Sequence, residues 1–137
     1  MHDVFENTVR FEETDAQGIV FYGNYLTYQD ETFTEFMDAI GYPYEEMREN
    51  RWDVHVVNVE LNYRAPATFR DRLTNAMRVE RINESSLVFG YECRDEAGEL
   101  LCDGTVTHVV VDENGPTRVP EELRDAIVSF QDEPPEL

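Results

Sequence analysis

Asn24-Tyr25-Leu26-Thr27-Tyr28-Gln29-Asp30-Glu31-Thr32-Phe33-Thr34-Glu35-Phe36-Met37-Asp38-Ala39-Ile40-Gly41 is the stretch that decides how the rest of this 137-residue chain must be arranged. Tyr25, Tyr28, Thr32, Phe33, Phe36, Met37 and Ile40 recur at three- and four-residue intervals, the spacing of one helix face. Asn24 is placed to cap the start, and Gly41 with Pro43 stops it. The apolar stripe is broad and aromatic, so the helix is expected to be well buried.

The surrounding sequence supplies what it is buried against. Upstream, Phe5, Val9 and Phe11 alternate with Glu6, Thr8, Arg10 and Glu12, which predicts a half-buried strand over residues 3–12. Downstream, residues 44–50 suggest a small second helix, and strand-like runs follow at 53–65, 71–82, 86–95 and 99–112. Val57, Val59, Leu61 and Tyr63 share one face of the first run, which Pro66 ends. Asn83-Glu84-Ser85 and Ala97-Gly98 are turn formers between the later strands, and Asp112-Glu113-Asn114-Gly115 closes the last one. A short helix is expected over residues 120–130, with a frayed acidic end beyond it. The order is strand, long helix, then four strands in a meander. One helix and one antiparallel sheet must bury their apolar faces on each other, giving a single α+β domain over residues 1–137. Five strands leave two open edges, and joining edges across a two-fold axis predicts a dimer.

Composition sets further bounds. With 41% apolar residues the chain can build one core, and its length does not accommodate two ordinary domains. Thirty Asp and Glu face eleven basic residues, a net charge of −19; all eleven are Arg, and Lys is absent. Such charge density destabilises a compact domain by self-repulsion, which about 1 M salt screens to within roughly 3 Å. The composition therefore reads as adaptation to a cytoplasm holding molar salt, and it argues against nucleic acid as a partner. No segment resembles a secretory signal or a bilayer span, so a cytoplasmic location without a membrane partner is expected. Cys93 and Cys102 fall opposite each other if Ala97-Gly98 makes a two-residue turn. Two buried thiols are expected there rather than a bridge.

Residues 10–25, Arg10-Phe11-Glu12-Glu13-Thr14-Asp15-Ala16-Gln17-Gly18-Ile19-Val20-Phe21-Tyr22-Gly23-Asn24-Tyr25, carry the chemistry. This segment resembles the signature of the 4-hydroxybenzoyl-CoA thioesterase family of hot-dog proteins. There an acid, one residue, Asp, two residues and Gly precede an apolar run and a Tyr near the helix start. Tyr63-Arg64-Ala65-Pro66 and Val119-Pro120-Glu121-Glu122-Leu123 extend the likeness over nearly the whole chain. The resemblance implies a hot-dog fold, a five-stranded antiparallel sheet wrapped around one long helix. It also implies hydrolysis of an acyl-CoA thioester by a homo-oligomer, either a dimer or a tetramer of dimers.

That chemistry needs a carboxylate to attack the carbonyl carbon or to activate water, and donors for the developing oxyanion. By resemblance Asp15 is the carboxylate and the backbone amides of Tyr22 and Gly23 are the donors. Gly18 permits the tight turn between them. On the bare sequence Asp15 is equally suited to closing an Asx turn. Tyr25 is expected to line the pocket, and Asp30 aligns with a family acid that reaches the acyl group from a neighbouring subunit. Some relatives hold coenzyme A phosphates with basic residues between the third and fourth strands. Here Asn83-Glu84-Ser85-Ser86 stands in that place, leaving Arg64, Arg70 and Arg81 as substitutes. His55 shares the Val57, Val59, Leu61 face by simple alternation, and His108 shares that of Cys102, Val106 and Val110. A lone histidine on such a face is ordinarily a hydrogen-bonded core residue. The three histidines lack zinc-like spacing, and neither a metal nor a cofactor is expected.

The predicted activity is cofactor-free hydrolysis of a small aryl or short- to medium-chain acyl-CoA. A non-catalytic acyl-CoA binding module is the alternative. An enoyl-thioester hydratase ranks below both, because its family places a His beside the Asp and the loop after Asp15 has none.

Overall fold

The computed structural model describes all 137 residues. Strand β1 (His2–Thr8) leads through a 3-10 turn at Phe11–Glu13 and a loop into helix α1 (Asn24–Ala39). Helix α2 (Tyr44–Glu49) precedes β2 (Asp53–Tyr63), β3 (Arg72–Ile82), β4 (Ser86–Arg94) and β5 (Leu100–Asp112). A two-residue β6 (Gly115–Pro116) folds back on β5, and α3 (Glu121–Phe130) follows. The main sheet runs β1-β3-β4-β5-β2, and every ladder between strands is antiparallel. This is the α+β hot-dog architecture that the sequence predicts.

Helix α1 buries Tyr25, Tyr28, Gln29, Thr32, Phe33, Phe36 and Met37, the predicted stripe with Gln29 added and with Ile40, also buried, just past the helix end at the C-cap. Phe33 and Phe36 meet Phe89 of β4 edge to face, at 5.3 and 5.8 Å between ring centres. Burying one such aromatic contributes roughly 1.5–3 kcal/mol. Phe36 and Phe89 are both fully enclosed.

Five details differ from the sequence reading, each for a local reason. The last four strands do not form a simple meander, because β2 pairs with β5 rather than with β3. Residues 64–71 cannot make a tight hairpin with Pro66 among them. They cross to the opposite edge, where Arg70 N donates to Val9 O and Val9 N donates to Asp71 O. Strand β1 stops at Thr8 instead of running to residue 12, because Glu13 turns back to accept from Arg10 N at 3.0 Å and winds the 3-10 turn. A bulge at Val57 reverses the alternation of β2: His55 stands opposite Val109, whereas Val59 stands opposite buried Val106. His55 therefore lies on the other face from Val59 and Leu61, and Val57 is exposed. Asn24 does not cap α1; its side-chain amide donates to Glu13 O at 2.8 Å, and Gly23 occupies the cap position.

The acidic end is also pinned rather than frayed. Gln131 Oε1 accepts from Val79 N and its Nε2 donates to Val79 O, while Glu136 exchanges backbone bonds with Glu80 and Ile82. β1 pairs with β3 only as far as Met77, so this segment covers the edge that β1 leaves open.

Candidate active site

Residues 13–21 fold into a miniature antiparallel ladder. Phe21 N donates to Glu13 O, Thr14 bridges Val20, and Asp15 N donates to Ile19 O. The ladder closes in a turn where Gly18 N donates to Asp15 O at 2.9 Å and Gly18 takes φ +79°, a left-handed value that glycine adopts without strain. Asp15 Oδ1 accepts from Gln17 N at 2.9 Å, so the Asx turn is real. It occupies one carboxylate oxygen; Oδ2 accepts nothing within the chain.

The start of α1 is wound tightly. Asn24, Tyr25 and Leu26 donate to the carbonyls of Phe21, Tyr22 and Gly23. These three-residue bonds leave the Tyr22 and Gly23 amides without any acceptor in the protein. Free N–H groups at a helix start carry partial positive charge and point at an incoming anion.

Beside them is a cavity of about 330 Å³ whose walls include Ile19, Val20, Tyr22, Tyr25, Tyr63 and Arg64. Asp15 does not line it in the single chain, but its backbone partner Ile19 does. Tyr25 is buried, with its ring edge-on to Tyr28 and Tyr63 at 5.6 and 5.5 Å. Burial pushes its phenol up to about 12, so it stays neutral at physiological pH. The sequence marks Tyr63 as a strand residue and as part of the Tyr63-Arg64-Ala65-Pro66 likeness, without a role in the site. Here its hydroxyl donates to Tyr22 O at 3.2 Å and ties the β2 end to the segment before α1.

The other candidates separate. Arg64 lines the cavity but is forked onto Asp103, at 3.2 and 3.4 Å. That pair is solvent-exposed and worth at most about 1 kcal/mol, so a phosphate can displace it. Arg70 lies over the Phe69 ring. Arg81 lines neither this cavity nor the next and is bonded to Glu136 at 2.9 Å. Asp30 is exposed on α1 and lines a second cavity of about 310 Å³, together with Phe33, Met37, Val56 and His108. Asp30 and Asp15 thus share no cavity within one chain. His108 is in the core as expected, but neither ring nitrogen has a hydrogen-bond partner in the protein. Glu13 is structural: it accepts from Tyr28 Oη at 2.9 Å as well as from Arg10. Cys93 and Cys102 stand directly opposite each other and are free.

Comparison with known proteins shows the family to which the chain belongs. Residues 9–127 match the model of the thioesterase-like superfamily. A 1,4-dihydroxy-2-naphthoyl-CoA hydrolase of Prochlorococcus marinus is 31% identical over 114 residues, 77% of this chain and 73% of its own length. The acyl-CoA thioester hydrolase YbgC of Escherichia coli is 27% identical over 104 residues, 76% and 78% of the two chains. Among solved structures, a gentisyl-coenzyme A thioesterase superposes with a TM-score of 0.82 at 26% identity, covering 90% of this chain and 98% of that one.

Proposed function

The chain belongs to the thioesterase-like superfamily and is a thioester hydrolase, and from that premise we propose that it cleaves a small aryl or short- to medium-chain acyl-CoA with Asp15 as the reacting carboxylate. The observation that carries the proposal is the pairing of a half-free Asp15 carboxylate with two unpartnered amides, Tyr22 and Gly23, in the one loop that runs into the start of α1.

A thioester carbonyl seated with its oxygen on these amides would gain stabilisation as negative charge develops there, and little before. Asp15 would then add to the carbonyl carbon and expel the coenzyme A thiolate, leaving a mixed anhydride that water hydrolyses to the free acid, or it would take a proton from a water that attacks the carbon, with the thiolate leaving and the free acid formed directly. Both routes use the same carboxylate. Coenzyme A belongs to the substrate, and the step needs no further cofactor. The Tyr25 and Tyr63 rings supply apolar walls, and Arg64 can exchange Asp103 for a phosphate of coenzyme A. Arg81 is less suited, because it is paired away from the cavity.

Two copies complete the site in this reading. β2 is a sheet edge, and Val56 and Val57 are exposed along it. Antiparallel pairing of β2 with its copy about a two-fold near the strand centre would bring the Asp53–Val56 end of one strand beside the Leu61–Tyr63 end of the other. The Asp30 cavity of one subunit would then adjoin the Asp15 loop of its partner. A saline cytoplasm suits the net charge of −19, because the paired copies repel less when that charge is screened.

The test is hydrolysis of phenylacetyl-, 4-hydroxybenzoyl-, butyryl- and octanoyl-CoA in about 2 M KCl by wild type and Asp15→Asn. Asn keeps the oxygen that closes the Asx turn, so the loop should hold while the rate falls by at least about two orders of magnitude. Undiminished turnover in that variant would remove Asp15 from the mechanism. A folded wild type that binds coenzyme A but turns over nothing would instead be a binding module.

A further inference from the structure

Thirty carboxylates crowd this chain, yet Arg48 and Arg51 stand without one. The arginines that form ion pairs are Arg10, Arg64, Arg81 and Arg94. Arg48 and Arg51 instead border an open cavity of about 320 Å³ where α2 runs into β2, together with Trp52, Asp53, His55 and Asp112. The Arg48 guanidinium lies over the Tyr44 ring, 5.5 Å from its centre. Arg51 follows α2 at φ +64°, a left-handed value that glycine would take without strain. Arginine held there against the backbone preference is accounted for by a use for its side chain.

The acids in the wall do not answer this charge. Asp53 Oδ1 accepts from Val54 N and Asp112 Oδ1 accepts from Asn114 N, each at 2.8 Å. Asp53 Oδ2 stands 4.0 Å from His55 Nε2, and neither carboxylate forms an ion pair with Arg48 or Arg51. Two free guanidiniums and an exposed imidazole around one cavity suit the several oxygens of a phosphate better than the two of a carboxylate. Such bonds are made in contact, so they persist in salt that cancels attraction at longer range.

The place of the cavity says which phosphate it meets. Asp53 lines both this cavity and the one that contains Asp30. With two copies joined along β2, the Asp53–Val56 end of one strand lies beside the Leu61–Tyr63 end of the other. The cavity then flanks the mouth of the other copy's site, on the side of its Arg64.

We propose that Arg48, Arg51 and His55 form a phosphate-binding subsite, which holds a phosphate of coenzyme A while the thioester lies at the Asp15 loop of the other copy. The inference rests on the thioesterase reading for the identity of that phosphate. The subsite itself needs no turnover to be seen.

The experiment has two arms, both in about 2 M KCl. Its variant is Arg51→Gly, which removes the guanidinium and suits the backbone, so the unfolding midpoint should match or exceed that of wild type. First, adenosine 3′,5′-bisphosphate is titrated into wild type while the side-chain signals of Arg51 and His55 are followed by NMR. The bisphosphate is expected to move both to saturation and adenosine to move neither. In Arg51→Gly, half-saturation of the His55 shift should need about fivefold more bisphosphate. Second, kcat/KM for the coenzyme A thioester of the best-hydrolysed acyl group is divided by that for its pantetheine thioester, which ends before the phosphates. The ratio is expected to fall about fivefold or more in Arg51→Gly, whereas a purely structural role would lower both values together. Unmoved Arg51 and His55 signals overturn the proposal. So does an unaltered ratio, even if inorganic phosphate moves the signals, because the substrate would then not use the site. Bisphosphate binding that weakens in Arg51→Gly, without turnover of either thioester, would uphold the subsite and refute the thioesterase reading.

Discussion

Tyr28 Oη donates to Glu13 Oε1 across 2.9 Å, joining the buried face of α1 to the turn that launches the Asp15 loop. The same Oε1 accepts from Arg10 N at 3.0 Å, so one carboxylate closes the 3-10 turn and anchors it to the helix. Tyr28 is enclosed, and burial together with this bond raises its phenol above its ordinary range; it stays a donor. Tyr28→Phe removes the donor and leaves the carboxylate short of a partner inside the protein. The expected loss is about 1–2 kcal/mol of stability with a several-fold lower kcat. Glu13→Gln still accepts both bonds and should cost clearly less. Urea unfolding of the two variants in 2 M KCl checks the order; equal losses would show that the charge, not the bond, matters.

Gly104 lies opposite Leu61 where β5 meets β2, and a Cβ there would overlap the Glu60 carbonyl. The obstacle is backbone, which cannot swing aside. Gly104→Ala is expected to push β2 away from β5 and cost roughly 2 kcal/mol or more. Because Tyr63 and Arg64 end that strand beside Tyr22 and the proposed site, activity should fall further than stability alone dictates. Proton exchange of the β2 amides measures the splay directly; unchanged protection would refute it.

The sequence exposes whatever is periodic or locally coded. The α1 stripe from Tyr25 to Met37 was readable because 3.6-residue spacing has one explanation, and the Asp15–Gly18 turn because few residues tolerate its backbone. Cys93 and Cys102 stand opposite each other as expected, but not through a two-residue turn: Asp95 faces Glu99 across a three-residue loop, and a bulge between Cys93 and Arg94 restores the pairing. What stayed hidden depends on contacts distant in sequence. The choice of β5 rather than β3 as the partner of β2 is made by the 64–71 crossover against Val9. The Val57 bulge moves His55 to the other face without any composition signal. Pinning of the chain end by Gln131 needs β1 to stop short at Met77. The same holds for the site: Asp15, Tyr22 and Gly23 lie in one segment, whereas Tyr63 and His108 join only through the fold.

Cys93 and Cys102 face each other in the core, and burial pushes their thiols up to about 11 and about 12. At neutral pH the reactive thiolate is therefore a negligible fraction, and the reagent has no access. A thiol-reactive chromogen should label neither residue in the native protein over minutes and both at once in denaturant. Fast labelling of the native state would mean that β4 and β5 open locally far more readily than this core packing allows.

His108 makes stability depend on pH in a definite window. An unfolded chain holds its imidazole near 6.5, whereas burial sets the folded value at about 4. Between these values the unfolded state binds the extra proton, so stability falls as pH falls. The contribution is fully present above 6.5, declines towards 4, and is then spent; its total is on the order of 3 kcal/mol, up to about 1.4 kcal/mol per pH unit. The thirty carboxylates titrate over part of the same range, so the informative quantity is the difference between wild type and His108→Phe. Denaturant midpoints from pH 4 to 8 in 2 M KCl should diverge for the two proteins below pH 6.5, with the variant resisting acid better. Parallel curves would mean that the imidazole reaches solvent or a partner when protonated, although both ring nitrogens are buried without one in the folded chain.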